Sequence, residues 1–147
     1  MSFNFDLNKV ETVLKQSAIS ATLGFSSDFN EVRKRAVHSS HLFVLPLAED
    51  NQNTNQVPGL DEYQVHETFA VMIVIPCLTG NATSNAEIKE LRGQVKEALA
   101  GCQFEGWDPI KLDKGRTVEL NKETNNLIYQ CQFSVTGIHT VTVRVMP

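Results

Sequence analysis

Between Tyr63 and Pro76 the chain alternates with a period of two, and both of its faces turn apolar before it ends. Tyr63, Val65, Phe69, Val71, Ile73 and Ile75 share one face, interrupted by Glu67. The other face is polar to Thr68 and then carries Ala70, Met72 and Val74. Side chains of a strand point alternately to opposite faces, so a strand apolar on both must be covered on both. This predicts a central strand, polar-backed where it begins and enclosed where it ends. His41 to Leu47 (HLFVLPL) reads as a shorter strand before it, with Pro46 placing it at an edge or a bend. Between the two, Ala48 to Leu60 offers no packing face and contains Pro58-Gly59, which predicts an exposed loop.

Two helices flank this region. Leu7, Val10, Leu14 and Ala18 fall on one stripe, and Asp6 stands where an N-cap is needed, so a first helix is expected from Leu7 to Ser17. Ser84-Asn85-Ala86-Glu87 has the form of a capping box, followed by the stripe Ile88, Leu91, Val95 and Leu99 and the stop Gly101. A second helix over Ser84 to Ala100 follows from that. Between Ile19 and Val37, Phe29, Val32 and Ala36 have helical spacing after the loop Gly24 to Asp28.

Beyond the second helix the pattern is of strands. Asp108 to Leu112 and Arg116 to Asn121 are expected as two short strands around an Asp113-Lys114-Gly115 turn, and Asn125-Asn126 as a further turn. Leu127, Tyr129, Cys131, Phe133 and Val135 then oppose Gln130, Gln132, Ser134 and Thr136. After Gly137 a new strand sets Val141, Val143 and Val145 against Thr140, Thr142 and Arg144. Strands gathered at the C-terminal end exclude a regular βαβ alternation. The expected fold is α+β, a mixed, mostly antiparallel sheet with two main helices packed on one side, in a single domain over residues 1–147. With 41% hydrophobic and 20% charged residues, such a chain can bury roughly two-thirds of its unfolded surface.

Little in the chain suggests chemistry. A net charge of −4 gives nucleic acid no general attraction, and no apolar run reaches the roughly 18 residues that span a bilayer. The N-terminus lacks the basic-then-apolar order of a signal peptide. Cys77, Cys102 and Cys131 have no metal or redox spacing and read as reduced thiols of a cytoplasmic protein, used as small hydrophobes. His38 and His41 lack a nearby third ligand, and the pairs Glu49-Asp50 and Asp61-Glu62 read as solvated charges. No catalytic residue, cofactor or metal site is expected. Arg33-Lys34-Arg35 is the one basic cluster, and Trp107 is either core or a partner anchor. An enzyme or small-molecule domain would require His66, Cys77 and His139 to converge.

Several segments together resemble the tail terminator proteins of long-tailed bacteriophages and prophages. They are Phe43-Val44-Leu45-Pro46 and Phe69-Ala70-Val71-Met72-Ile73-Val74. Leu91-Arg92-Gly93-Gln94-Val95-Lys96-Glu97-Ala98-Leu99, Gly106-Trp107-Asp108-Pro109 and Leu127-Ile128-Tyr129-Gln130-Cys131-Gln132-Phe133 complete them. The resemblance runs from about Leu42 onward, with a leading helix, and rests on packing and turn signatures. It implies a non-catalytic virion protein, assembled in the host bacterial cytoplasm. It further implies a homo-oligomeric ring, six-fold (a hexamer), that caps the tail tube protein and faces the head–tail connector protein, with no direct nucleic-acid or membrane partner. A head–tail joining or tail-completion protein is the neighbouring reading. Since a ring needs two different complementary patches, Arg33, Lys34 and Arg35 are candidates for one and Asp61 and Glu62 for the other.

Overall fold

The computed structural model describes residues 3–55, 57–77 and 81–147, without the side chains of residues 81–84. Its centre is a five-stranded sheet in the order β1-β2-β3-β5-β4. The strands are β1 (Thr22–Leu23), β2 (His41–Asn53), β3 (Leu60–Pro76), β4 (Lys111–Asn121) and β5 (Asn126–Thr142). β1 runs parallel to β2, and every other neighbouring pair is antiparallel. The helices are α1 (Leu7–Gln16), α2 (Phe29–Val32) and α3 (Asn81–Leu99), with a 3-10 turn at Ser26–Asp28. The molecule is therefore broadly α+β, with a mixed sheet and three helices.

The two-faced strand explains the layering. Val71, Ile73 and Ile75 join Leu42, Val44 and Phe133 in one core, closed by Val10 and Leu14 of α1 and by Leu91, Val95 and Leu99 of α3. On the opposite face Ala70, Met72 and Val74 meet Phe43, Ile128 and the short α2 segment with Phe29, Val32 and Val37. α1 begins as expected: the Asp6 carboxylate accepts the Asn8 N–H at 3.0 Å. Gly101 closes α3 at φ +83°, and Asn125 takes φ +57° in the β4–β5 turn, conformations that these residue types tolerate best.

Five sequence expectations need correction. Residues 48–53 are strand, paired from Ala48 with Thr68 to Asn53 with Tyr63. β2 and β3 thus form a long hairpin, and the loop of the Ala48 to Leu60 segment shrinks to its tip. The arm carries no hydrophobic period because both faces of β2 are exposed there; its neighbour's backbone holds it extended. Asp108 to Ile110 are not strand, while Lys111-Leu112 and Arg116 to Asn121 belong to one strand, β4, which absorbs Asp113-Lys114 in a bulge between Leu112 and Gly115. β5 passes Gly137 without a break and ends at Thr142, so Val143 and Val145 are exposed beyond the sheet. Helix α2 stops at Val32, and Ala36 is exposed. Finally, α3 starts at Asn81, so Ser84 lies inside it and not at its cap; the Ser84 side chain lies outside the described residues. Glu87, the other half of the expected capping box, accepts a hydrogen bond from the Ser40 hydroxyl.

Gly137 is the point where the Gly106-Trp107 turn rests on the sheet. A Cβ there would lie 2.8 Å from both the Gly106 carbonyl oxygen and Trp107 Cε3. Gly137→Ala should therefore displace Trp107, destabilising the protein by about 1–3 kcal/mol. Because Trp107 is the single tryptophan, the change reads out as a red-shifted emission together with a lower urea midpoint.

Candidate functional site

The basic cluster follows α2 at the end of the sheet where both faces are covered. Arg33 Nη2 lies 2.7 Å from Glu119 Oε2 of β4, and its guanidinium sits 5.5 Å from the Phe29 ring centroid. Its charge is thus partly matched within the chain, while Lys34 and Arg35 are exposed. What fixes this segment is Asn126, whose Nδ2 donates to the Arg35 carbonyl at 2.7 Å and whose Oδ1 accepts the Val37 N–H at 3.3 Å. Asn126 is fully buried, so losing either bond would strand a polar group. Sequence reading saw only a turn residue there, because an Asn opening a strand carries no mark of a long-range tether.

Asp61 and Glu62 lie near the other end of β3, half-buried. Glu62 Oε1 accepts from Thr54 Oγ1 at 2.8 Å and Asp61 Oδ1 from Asn53 Nδ2 at 3.4 Å, so both are held by the turn of the hairpin. α2 packs at the level of Met72, which puts the acidic pair roughly 35 Å away along the strand. The two candidate patches are therefore separate surfaces.

Trp107 is 7% exposed. It meets Phe5 edge-on at 5.4 Å and His139 at 5.0 Å between centroids. Phe5 in turn stacks on Phe69 at 5.9 Å, and Phe3 meets Tyr63 and His139. The residues before α1 thereby form a strap across the base of the hairpin arm. The strap is pinned to β3 by the Phe5 N–H, which donates to Glu67 Oε2 at 2.7 Å. This is the partner of the single charge that interrupts the apolar face of β3.

The three residues on which a catalytic reading would depend do not meet. His66 bonds Thr136 Oγ1 at 2.9 Å on the face opposite His139, which packs against Trp107. Cys77 follows the far end of β3, roughly 45 Å from the Tyr63–His139 pair. Burial pushes the Cys131 thiol up to about 11, against the opposing pull of Arg92 and Lys96, which disfavours the thiolate at neutral pH. His41 Nδ1 lies 2.9 Å from the Ser39 carbonyl oxygen, and among the described residues no three His, Cys, Asp or Glu side chains gather to hold a metal. Nor is any described helix long and apolar enough to cross a membrane.

Burial raises the Glu67 carboxyl above its ordinary value of 4.5, the Phe5 N–H lowers it, and the charge of Glu49 beside it raises it again. A raised native pKa means that the folded state holds the proton more tightly than the unfolded one. This contribution is fully present below pH 4.5 and is lost as pH climbs through the raised value. Glu67→Gln keeps an acceptor for Phe5 without the charge. The melting temperature of the wild type should therefore fall relative to Glu67→Gln as pH is raised from below 4.5 to neutrality, as thermal unfolding across a pH series would read.

A family model described as phage tail terminator protein matches residues 1–142 of the 147. No curated protein matched the chain.

Proposed function

Because the chain belongs to the phage tail terminator family, we propose that it is the protein that ends the tail tube of its phage. The family is one of structural proteins of the phage tail. The protein would act as a single domain that closes into a six-fold ring on the completed tube, prevents further subunits from adding, and offers its outer face to the head–tail connector. Its work would be steric and interfacial, done in the host cytoplasm during assembly and retained in the virion tail.

The observation that carries this reading is the family match over nearly the whole chain. The shape of the molecule supports it. The hairpin arm projects past the two cores, and at its far end the face that α2 covers lower down carries Gln64, His66, Thr136 and Thr140 around the exposed Ile138 in place of a core. A surface of this kind, mostly polar with one exposed isoleucine and backed by a paired sheet, suits contact with a partner better than it suits a substrate. Lys34 and Arg35, with Arg33 partly matched by Glu119, remain the proposed basic patch, and Asp61 and Glu62 the proposed acidic one. Buried Trp107 would contribute by holding the strap and arm in place rather than by touching a partner.

The native mass measured by light scattering over a wide concentration range, with and without isolated tail tubes, tests the reading. A discrete closed oligomer, alone or on tube ends, is expected. Reversing Lys34 and Arg35 to Glu should weaken it at low salt and matter less as salt rises. A strict monomer that neither assembles nor arrests tube growth would overturn the proposal. Binding to a connector without any effect on tube length would instead favour a head–tail joining role.

A further inference from the structure

The sheet has two open edges, and they differ in charge. On one side β1 covers only His41 and Leu42 of β2, leaving the outer edge of β2 without a neighbouring strand from Phe43 to Asn53 among the described residues. On the other side no strand among the described residues pairs with the outer edge of β4. A long stretch of each edge strand is also exposed on its faces. β2 is exposed throughout Pro46 to Asn53, and β4 throughout Lys111 to Thr117. The exposed part of β2 carries Glu49 and Asp50 and no cation. The exposed part of β4 carries Lys111, Lys114 and Arg116 against Asp113, whose Oδ2 accepts from Gln132 Nε2 at 2.6 Å. Each stretch also exposes a leucine, Leu47 at 42% and Leu112 at 51%.

We propose that the basic edge of β4 in one copy pairs with the acidic outer edge of β2 in the next, so that the sheet continues from subunit to subunit. The inference rests on the ring reading and adds a strand-to-strand joint to the charged patches proposed above. Strand direction favours it. β2 and β5 run one way, β3 and β4 the other. Copies related by a rotation axis lying roughly along the strands therefore bring β4 beside β2 in antiparallel order, which is how the sheet is already built. The charges favour it as well. Edge strands are usually blunted by charge so that they do not aggregate. Here the two edges carry opposite signs, so β2 repels β2, β4 repels β4, and only the unlike joint is admitted. A joint between two different surfaces is what a closed ring requires.

The experiment uses the full chain and two variants, Glu49→Lys/Asp50→Lys and Lys114→Glu/Arg116→Glu, each checked for native circular dichroism and Trp107 emission. Light scattering at low salt should show each variant alone needing at least about ten times the wild-type concentration to half-assemble. In the first variant both edges are basic and in the second both are acidic, so their equimolar mixture should recover the wild-type assembly as an alternating ring. If the wild type assembles and both variants assemble equally well, the edge pairing is overturned while the ring reading stands. If the variants fail and the mixture fails with them, the pairing is likewise overturned. A wild type that never assembles, alone or on tail tubes, overturns both.

Discussion

β3 has hydrogen-bonded strands along both of its edges, β5 from its first residue to its last and β2 from Tyr63 to Val74. That double pairing satisfies the backbone of a strand whose second half is apolar on both faces, and it dictates where everything else must go. Each face needs a cover: α1 and α3 supply one, and the short α2 segment supplies the other. Where β3 loses its second apolar face, after Thr68 in the direction of Leu60, the cover on that side also ends and the arm begins. The boundary between core and arm is thus set by the side chains of one strand.

The arm is stiffened from one side only. Phe5 fills the space between Phe69 and Trp107, Gly137 lets Trp107 approach the sheet, and Glu67 takes the Phe5 N–H. The carboxylate is an awkward partner, since burial disfavours its charge. It is retained at a place where the chain before α1 must be held against an otherwise continuous apolar face, and a backbone donor there would be unsatisfied without it.

Hydrophobic period made α1, the body of α3, β3 and the first half of β5 legible, because each buries a stripe or a face that the sequence displays. The parts that misread had their conformation fixed by neighbours. Residues 48–53 show turn-like composition and yet are strand, because β3 offers a ladder that needs no buried side chain. The Asp113-Lys114 bulge breaks alternation without breaking the strand, and Gly137 looks like a stop while serving as the seat of an indole ring. Of the candidate site residues, Trp107 and Arg33 have their contacts inside the chain, and Asp61 and Glu62 are held by Asn53 and Thr54. Asn126, which orients the basic segment, could not be singled out, since its two bonds reach residues some ninety positions earlier.

The two pairings of β3 also differ in when they can form. β2 is joined to it through only the six residues 54–59, so that half of the sheet can appear early and locally. β5 reaches it only after the whole stretch from Cys77 to Asn125 has been synthesised and gathered in, a closure that carries a larger entropic cost and slows folding. Until then Val71, Ile73 and Ile75 stand beside an unfilled ladder on a nascent hairpin. The long polar end of that hairpin is then a solubilising handle, keeping a half-made sheet dispersed while the rest of the chain arrives.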